Sequence, residues 1–168
     1  MSDKKTLFAA IDAQRDVLCS MADQIFDRPE YEGEEVFASG LLTDYLRANG
    51  FEVEMGVGGF KTAFRATFKH GEGGPKLGIL CEYDALRNLG HGCGHHMQGP
   101  GCLGAAVALK NMDCAEPFEL IVYGTPAEES FGSKVQMLER GCFKELDVAF
   151  MMHGGPNTCT DVKCLAQK

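Results

Sequence analysis

From Lys5 to Phe26 the apolar residues Leu7, Ala10, Ile11, Val17, Leu18, Met21 and Ile25 recur at close to helical spacing, and the run RPEYEGEE breaks the pattern. The spacing predicts one first helix of about five turns. A second is predicted from Glu34 to Asn49, with Val36, Phe37, Leu41, Leu42, Tyr45 and Leu46 on its apolar stripe and Gly50 as its stop. FEVEMGV and TAFRATFK then alternate as strands do, a hairpin or a neighbouring pair, and HGEGGP is a turn. Three nearly continuous apolar runs follow, KLGILC at 76–81, FELIVYG at 118–124 and DVAFMM at 147–152, separated by helical patterns over 101–111 and 132–140. Such strands alternating with helices predict an α/β domain, a mostly parallel or mixed sheet with helices on both faces.

The 168-residue length and 45% hydrophobic content fit one domain with a real core. A net charge of -8 sets up a field that repels polyanions, so nucleic acid is not expected as a partner. The longest apolar runs fall far short of the ~20 residues that span a bilayer, so no membrane partner is expected either. The polar opening MSDKKTLFAAIDAQRD does not read as a signal peptide, and a cytoplasmic location is expected. Eight cysteines without repeated CxxC spacing then read as reduced thiols, buried or metal-bound, rather than as a disulfide framework or a zinc finger.

Unusual polar residues follow each of the three apolar strands. Glu82, Asp84 and the stretch GHGCGHHMQGPGCLG come after KLGILC, TPAEES with Glu128 and Glu129 after FELIVYG, and His153 with GGP after DVAFMM. Open α/β sheets place ligand crevices at the carboxyl ends of their strands. Each feature alone has a bland reading as a solvated loop or a core thiol; their shared placement favours a site. Cys93 and His95, two apart, would project to one side of an extended segment, and thiolate with imidazole suits zinc and related ions. A carboxylate pair allows one Glu to bind metal while its neighbour takes a proton from water. His153 adds an imidazole.

Two other chemistries compete with a metal. Gly99, Gly101 and Gly104 form GxGxxG with Glu119 downstream, but the glycines do not directly follow a strand, so a dinucleotide site is disfavoured and close helix packing fits them better. No GxSxG is present, and an activated Cys93 thiolate beside His95 would leave the Glu pair and His153 without a role.

The ordered motifs LCEYDAL, GHGCGHH, GTPAEES and MMHGGP resemble metallopeptidase family twenty, the metal-dependent aminoacylases, carboxypeptidases and amidohydrolases, and are most similar to its aminobenzoyl-glutamate hydrolase-like branch. The resemblance implies a zinc-exopeptidase-like catalytic domain with two divalent metal ions, Zn or Mn. It implies metal ligands Cys93, His95, Glu129 and His153, Glu128 as general base, and Asp84, His96 and His91 as supporting residues behind the ligands. The implied reaction is hydrolysis of the amide or peptide bond of a small N-acyl amino acid, aminobenzoyl-glutamate-like compound or dipeptide. His96 stands where Asp or Asn is common, and Arg87 where Pro is usual. Family members are longer, so residues 1–168 are expected to be an N-terminal segment truncated before the lid and dimerisation domain, lacking the C-terminal part of the catalytic domain. Such a chain is expected to be weak or inactive alone, and to self-associate or pair with the missing C-terminal segment; the alternative is a non-catalytic metal-binding or interaction fragment.

Overall fold

Alternation along Phe118–Gly124 sends Leu120 and Val122 to one face of a sheet and Ile121 and Tyr123 to the other, and each face carries its own apolar cluster. The computed structural model describes residues 4–155. Its elements are α1 (Lys4–Asp12), α2 (Arg15–Phe26), α3 (Val36–Ala48), β1 (Glu52–Met55), β2 (Phe64–His70), β3 (Lys76–Cys81), α4 (His95–Lys110), β4 (Phe118–Gly124), α5 (Ser133–Glu139) and β5 (Val148–Met151). The strand order is β1-β2-β4-β3-β5. β2 runs antiparallel to β1 and β4, whereas β3 is parallel to β4 and β5, so the sheet is mixed.

The larger cluster joins Met21 and Ile25 of α2, Leu42 and Leu46 of α3, and Leu103, Ala106 and Val107 of α4 to one face of the sheet. Met137 of α5 packs with Ile121, Tyr123 and Ala63 on the other. Leu42, Leu46 and Leu103 are wholly buried, each stabilising the fold by ~1.5–3 kcal/mol relative to exposure. Helices on both faces therefore match the periodicity. α3 ends as predicted: Gly50 adopts φ 79°, its N–H donates to Arg47 O and that of Phe51 to Leu46 O, the paired bonds of a Schellman stop.

Two expectations are corrected. The single first helix is two, because the Gln14 N–H bonds Ile11 O in a tightened turn while the Gln14 side chain is pulled across to Gly104 O and the Tyr45 hydroxyl. α4 begins six residues before the predicted 101, at His95, so the stretch after Cys93 is a helix start rather than an extended segment. Pro100 and the glycines lie inside this helix. The glycines serve packing: a Cβ at Gly104 would come 2.5 Å from Leu18 Cδ1, and one at Gly99 would come 3.0 Å from Leu42 Cδ1.

No helix among the described residues is long and apolar enough to cross a membrane. None of the six described cysteines is in a disulfide.

β5 is an outer strand, and Val148, Phe150, Met151 and Met152 are 43–57% exposed. Phe150, Met151 and Met152 border a groove of about 300 Å³ whose far wall is Cys102, Ala105 and Leu109 of α4. An apolar edge of this kind is a template for further pairing, so the chain is expected to self-associate through β5. Phe150→Lys should shift the light-scattering mass towards monomer; an unchanged mass would exclude this edge.

Candidate metal centre

β3, β4 and β5 all deliver polar residues at their carboxyl ends, where the parallel part of the sheet opens. After β3, Asp84 is buried, and its Oδ1 and backbone O both lie 3.1 Å from His95 Nδ1. These acceptors hold the proton on Nδ1 and leave the Nε2 lone pair pointing away from them. Asp84 Oδ2 accepts the Glu129 N–H at 2.9 Å, so one carboxylate braces the histidine and the loop after β4.

His95 Nε2 lies 3.3 Å from His153 Nε2, which in turn lies 3.4 Å from Cys93 Sγ. These three ligand atoms, separated by 60 residues of chain, fall within 4.8 Å of one another. Glu129 Oε1 stands 3.8 Å from His95 Nε2 and accepts no hydrogen bond. Glu128, exposed, groups with His95 and Glu82 within the same 4.8 Å limit. The predicted ligands therefore converge, and Glu128 borders them. His91 and His96 do not join these groups: their rings pack 5.2 Å apart at the end of α2, against Phe26. Burial lowers the His91 pKa to about 4. Arg87 binds Glu32 through two contacts of 2.6 Å.

Electrostatics fit a cation. Glu82, Asp84, Glu128 and Glu129 crowd one end of the sheet, and Lys134 alone among their described ion-pair partners is a lysine or arginine. The hydrogen bond to Glu129, burial, and the charges of Glu129, Glu128 and Asp84 push the Cys93 thiol up to about 11. That is the reverse of an activated nucleophile, which needs a depressed pKa, and it weighs against the thiolate-catalyst reading. A divalent ion would reverse the local field and deprotonate the thiol as it binds. The soft S/N/N donor set and the unpartnered buried Glu82 Oε2 and Glu129 Oε1 suit such an ion.

Glu82 lies outside the ligand set read from the motifs, yet it belongs to the site. It is 1% exposed at the end of β3 and ion-pairs through Oε1 with Lys134 of α5. Its one mark in the sequence is its place directly after an apolar strand, two before Asp84. Glu35 has no such mark. Wholly buried, it accepts hydrogen bonds from Gly33 N, Thr62 Oγ1 and Ala127 N, the last at 3.2 Å, and so ties the start of α3 to the Glu128 loop.

No family model matches the chain. It is 37% identical over 162 residues to an Xaa-Arg dipeptidase of Mus musculus, an alignment covering 89% of this chain and 38% of the relative. It is 35% identical over 163 residues to one of the subunits of the p-aminobenzoyl-glutamate hydrolase of Escherichia coli, covering 86% and 34%. Among solved structures, a dinuclear metal binding peptidase of the M20 family from Bacillus subtilis superposes with TM-score 0.75 at 24% identity, over 87% of this chain and 45% of that one. The chain thus spans little more than a third of the curated relatives it matches.

Proposed function

Because the chain is a relative of metallopeptidase family twenty by sequence over part of those proteins and by fold, we propose that it carries the site for metal-dependent hydrolysis of an amide or peptide bond. The substrate class is a small N-acyl amino acid, aminobenzoyl-glutamate-like compound or dipeptide. The observation that carries this reading is the convergence of Cys93, His95 and His153 within 4.8 Å.

Cys93, His95, His153 and Glu129 would hold two divalent ions, Zn²⁺ or Mn²⁺, which when bound polarise the carbonyl and acidify water. Asp84 fixes the His95 tautomer and the Glu129 backbone, so two ligands are oriented before any ion arrives. Glu128 takes a proton from the attacking water and returns it to the leaving amine. A cleft of about 310 Å³ between Asp84, Leu86, Arg87 and Glu129 offers room for the substrate beside these groups. Glu128 and His153 are exposed, so the site excludes little water, and the chain by itself is expected to turn over slowly.

Elemental analysis of Cys93→Ser and His95→Ala beside the parent tests the assignment. Both variants are expected to lose bound Zn²⁺ or Mn²⁺. Unchanged metal content in both would sink the site.

A further inference from the structure

The cleft of about 310 Å³ beside the candidate ligands is lined by three carboxylates, Glu32, Asp84 and Glu129, and by one cation among the described residues, Arg87. The N-acyl amino acid, aminobenzoyl-glutamate-like compound and dipeptide of the reading above each carry a carboxylate of their own. Carboxylate walls repel such a group, so the placement of positive charge among them decides where it settles.

Arg87 is held from several sides. Its Nε and Nη2 donate to Glu32 Oε1 and Oε2 at 2.6 Å each, and its guanidinium lies 5.6 Å from the centroid of the Tyr31 ring. The backbone beneath it is a closed turn: Leu86 and Gly90 exchange two hydrogen bonds of 2.9 Å, and Asn88 adopts φ 63°. The Ala85 N–H donates to Glu30 O at 2.9 Å, which stitches this turn to the segment carrying Tyr31 and Glu32. A long side chain on a surface turn ordinarily samples many rotamers; these contacts restrict it before a ligand arrives.

The grip is one-sided. An arginine presents five N–H donors in a planar fork, and Glu32 occupies only the edge formed by Nε and Nη2. The Nη1 donors meet no acceptor among the described residues, and the side chain is 64% exposed. Nη1 with the second N–H of Nη2 can therefore take another carboxylate through two parallel bonds.

We propose that Arg87 is a specificity-determining residue: the open end of its guanidinium binds the carboxylate on the amino-acid half of the substrate and so selects acids over their uncharged amides. The proposal rests on the hydrolase reading above and narrows it to substrates with a free carboxylate. Glu32 holds the other edge of the fork and keeps it at the cleft wall.

The test compares N-acetyl-L-alanine with N-acetyl-L-alaninamide, which differ only in that carboxylate. Their affinities for the Zn²⁺-loaded chain are measured by ligand-observed nuclear magnetic resonance, with zinc content read on the same samples. The parent is expected to prefer the acid. Arg87→Gln is expected to weaken the acid by about tenfold while the carboxamide follows the parent. Arg87→Lys, which keeps the charge but not the fork, is expected to recover part of the loss. Both variants are expected to fold, because Arg87 and Glu32 are exposed and no buried charge is stranded. An acid preference that survives in Arg87→Gln would assign it to bound metal and overturn the proposal. Equal weakening of both ligands would overturn it too, marking Arg87 as a prop for the turn, as would a zinc-loaded parent without preference. Zinc missing from the parent would instead overturn the metal reading on which the proposal rests, so zinc content tells the two failures apart.

Discussion

Glu128→Gln is expected to keep its metal and slow amide hydrolysis by ~10² to 10⁴-fold, the usual worth of general acid and base catalysis. Neighbouring Glu129→Gln is expected to fail differently, by losing metal. The two side chains leave the same loop after β4 but meet different surroundings: Glu128 is exposed, while the Glu129 backbone is pinned by Asp84 and its Oε1 waits unpartnered 3.8 Å from His95 Nε2. A neutral amide in place of a base leaves the ligands in position and removes only the proton acceptor. In place of a ligand, it removes a charge that holds the ion. Single-turnover hydrolysis of a dipeptide, read beside metal content at saturating Zn²⁺ or Mn²⁺, separates the cases even where turnover is slow. Metal loss in Glu128→Gln with retention in Glu129→Gln would exchange the two roles.

Glu35→Ala is expected to destabilise the chain by about 3 kcal/mol, since buried donors left without an acceptor cost ~1–3 kcal/mol each and the surroundings relax only in part. Three donors are at stake: Gly33 N at 2.7 Å, Thr62 Oγ1 at 3.0 Å and Ala127 N at 3.2 Å. Ala127 has φ 56°, a left-handed conformation rare for a residue with a side chain, and it immediately precedes Glu128. Loss of Glu35 therefore also loosens the turn that aims the base. Burial raises the Glu35 pKa, outweighing its hydrogen bonds. A carboxyl whose folded pKa is raised contributes stability at low pH that is lost as pH rises through that pKa. Glu35→Gln carries no such dependence, so it should cost less than Glu35→Ala, and its deficit against the parent should shrink as pH rises. Urea unfolding of the three proteins between pH 4 and pH 8 measures this; equal losses for Gln and Ala, unchanged across that range, would show that the acceptor role is misassigned.

Periodicity is enough to place the five strands, the second helix with its Gly50 stop, and α5, because alternation and helical stripes record which side of each element meets the core. It is equally enough to put Cys93, His95, the Glu pair and His153 at strand ends, since each motif sits next to its own strand in the chain. The break at Gln14 is invisible to it, because its cause is a side chain reaching 90 residues along the sequence to Gly104. The early start of α4 is hidden by Gly99, Pro100 and Gly101, poor helix residues that packing overrides. Glu35 carries no local mark of function and Glu82 only its place after an apolar strand, where a glutamate is ordinarily solvated. Only the tertiary structure decided that Lys134 would neutralise one, and that donors from three separate segments would close around the other, because burial and pairing are properties of distant residues meeting and not of any one stretch of chain.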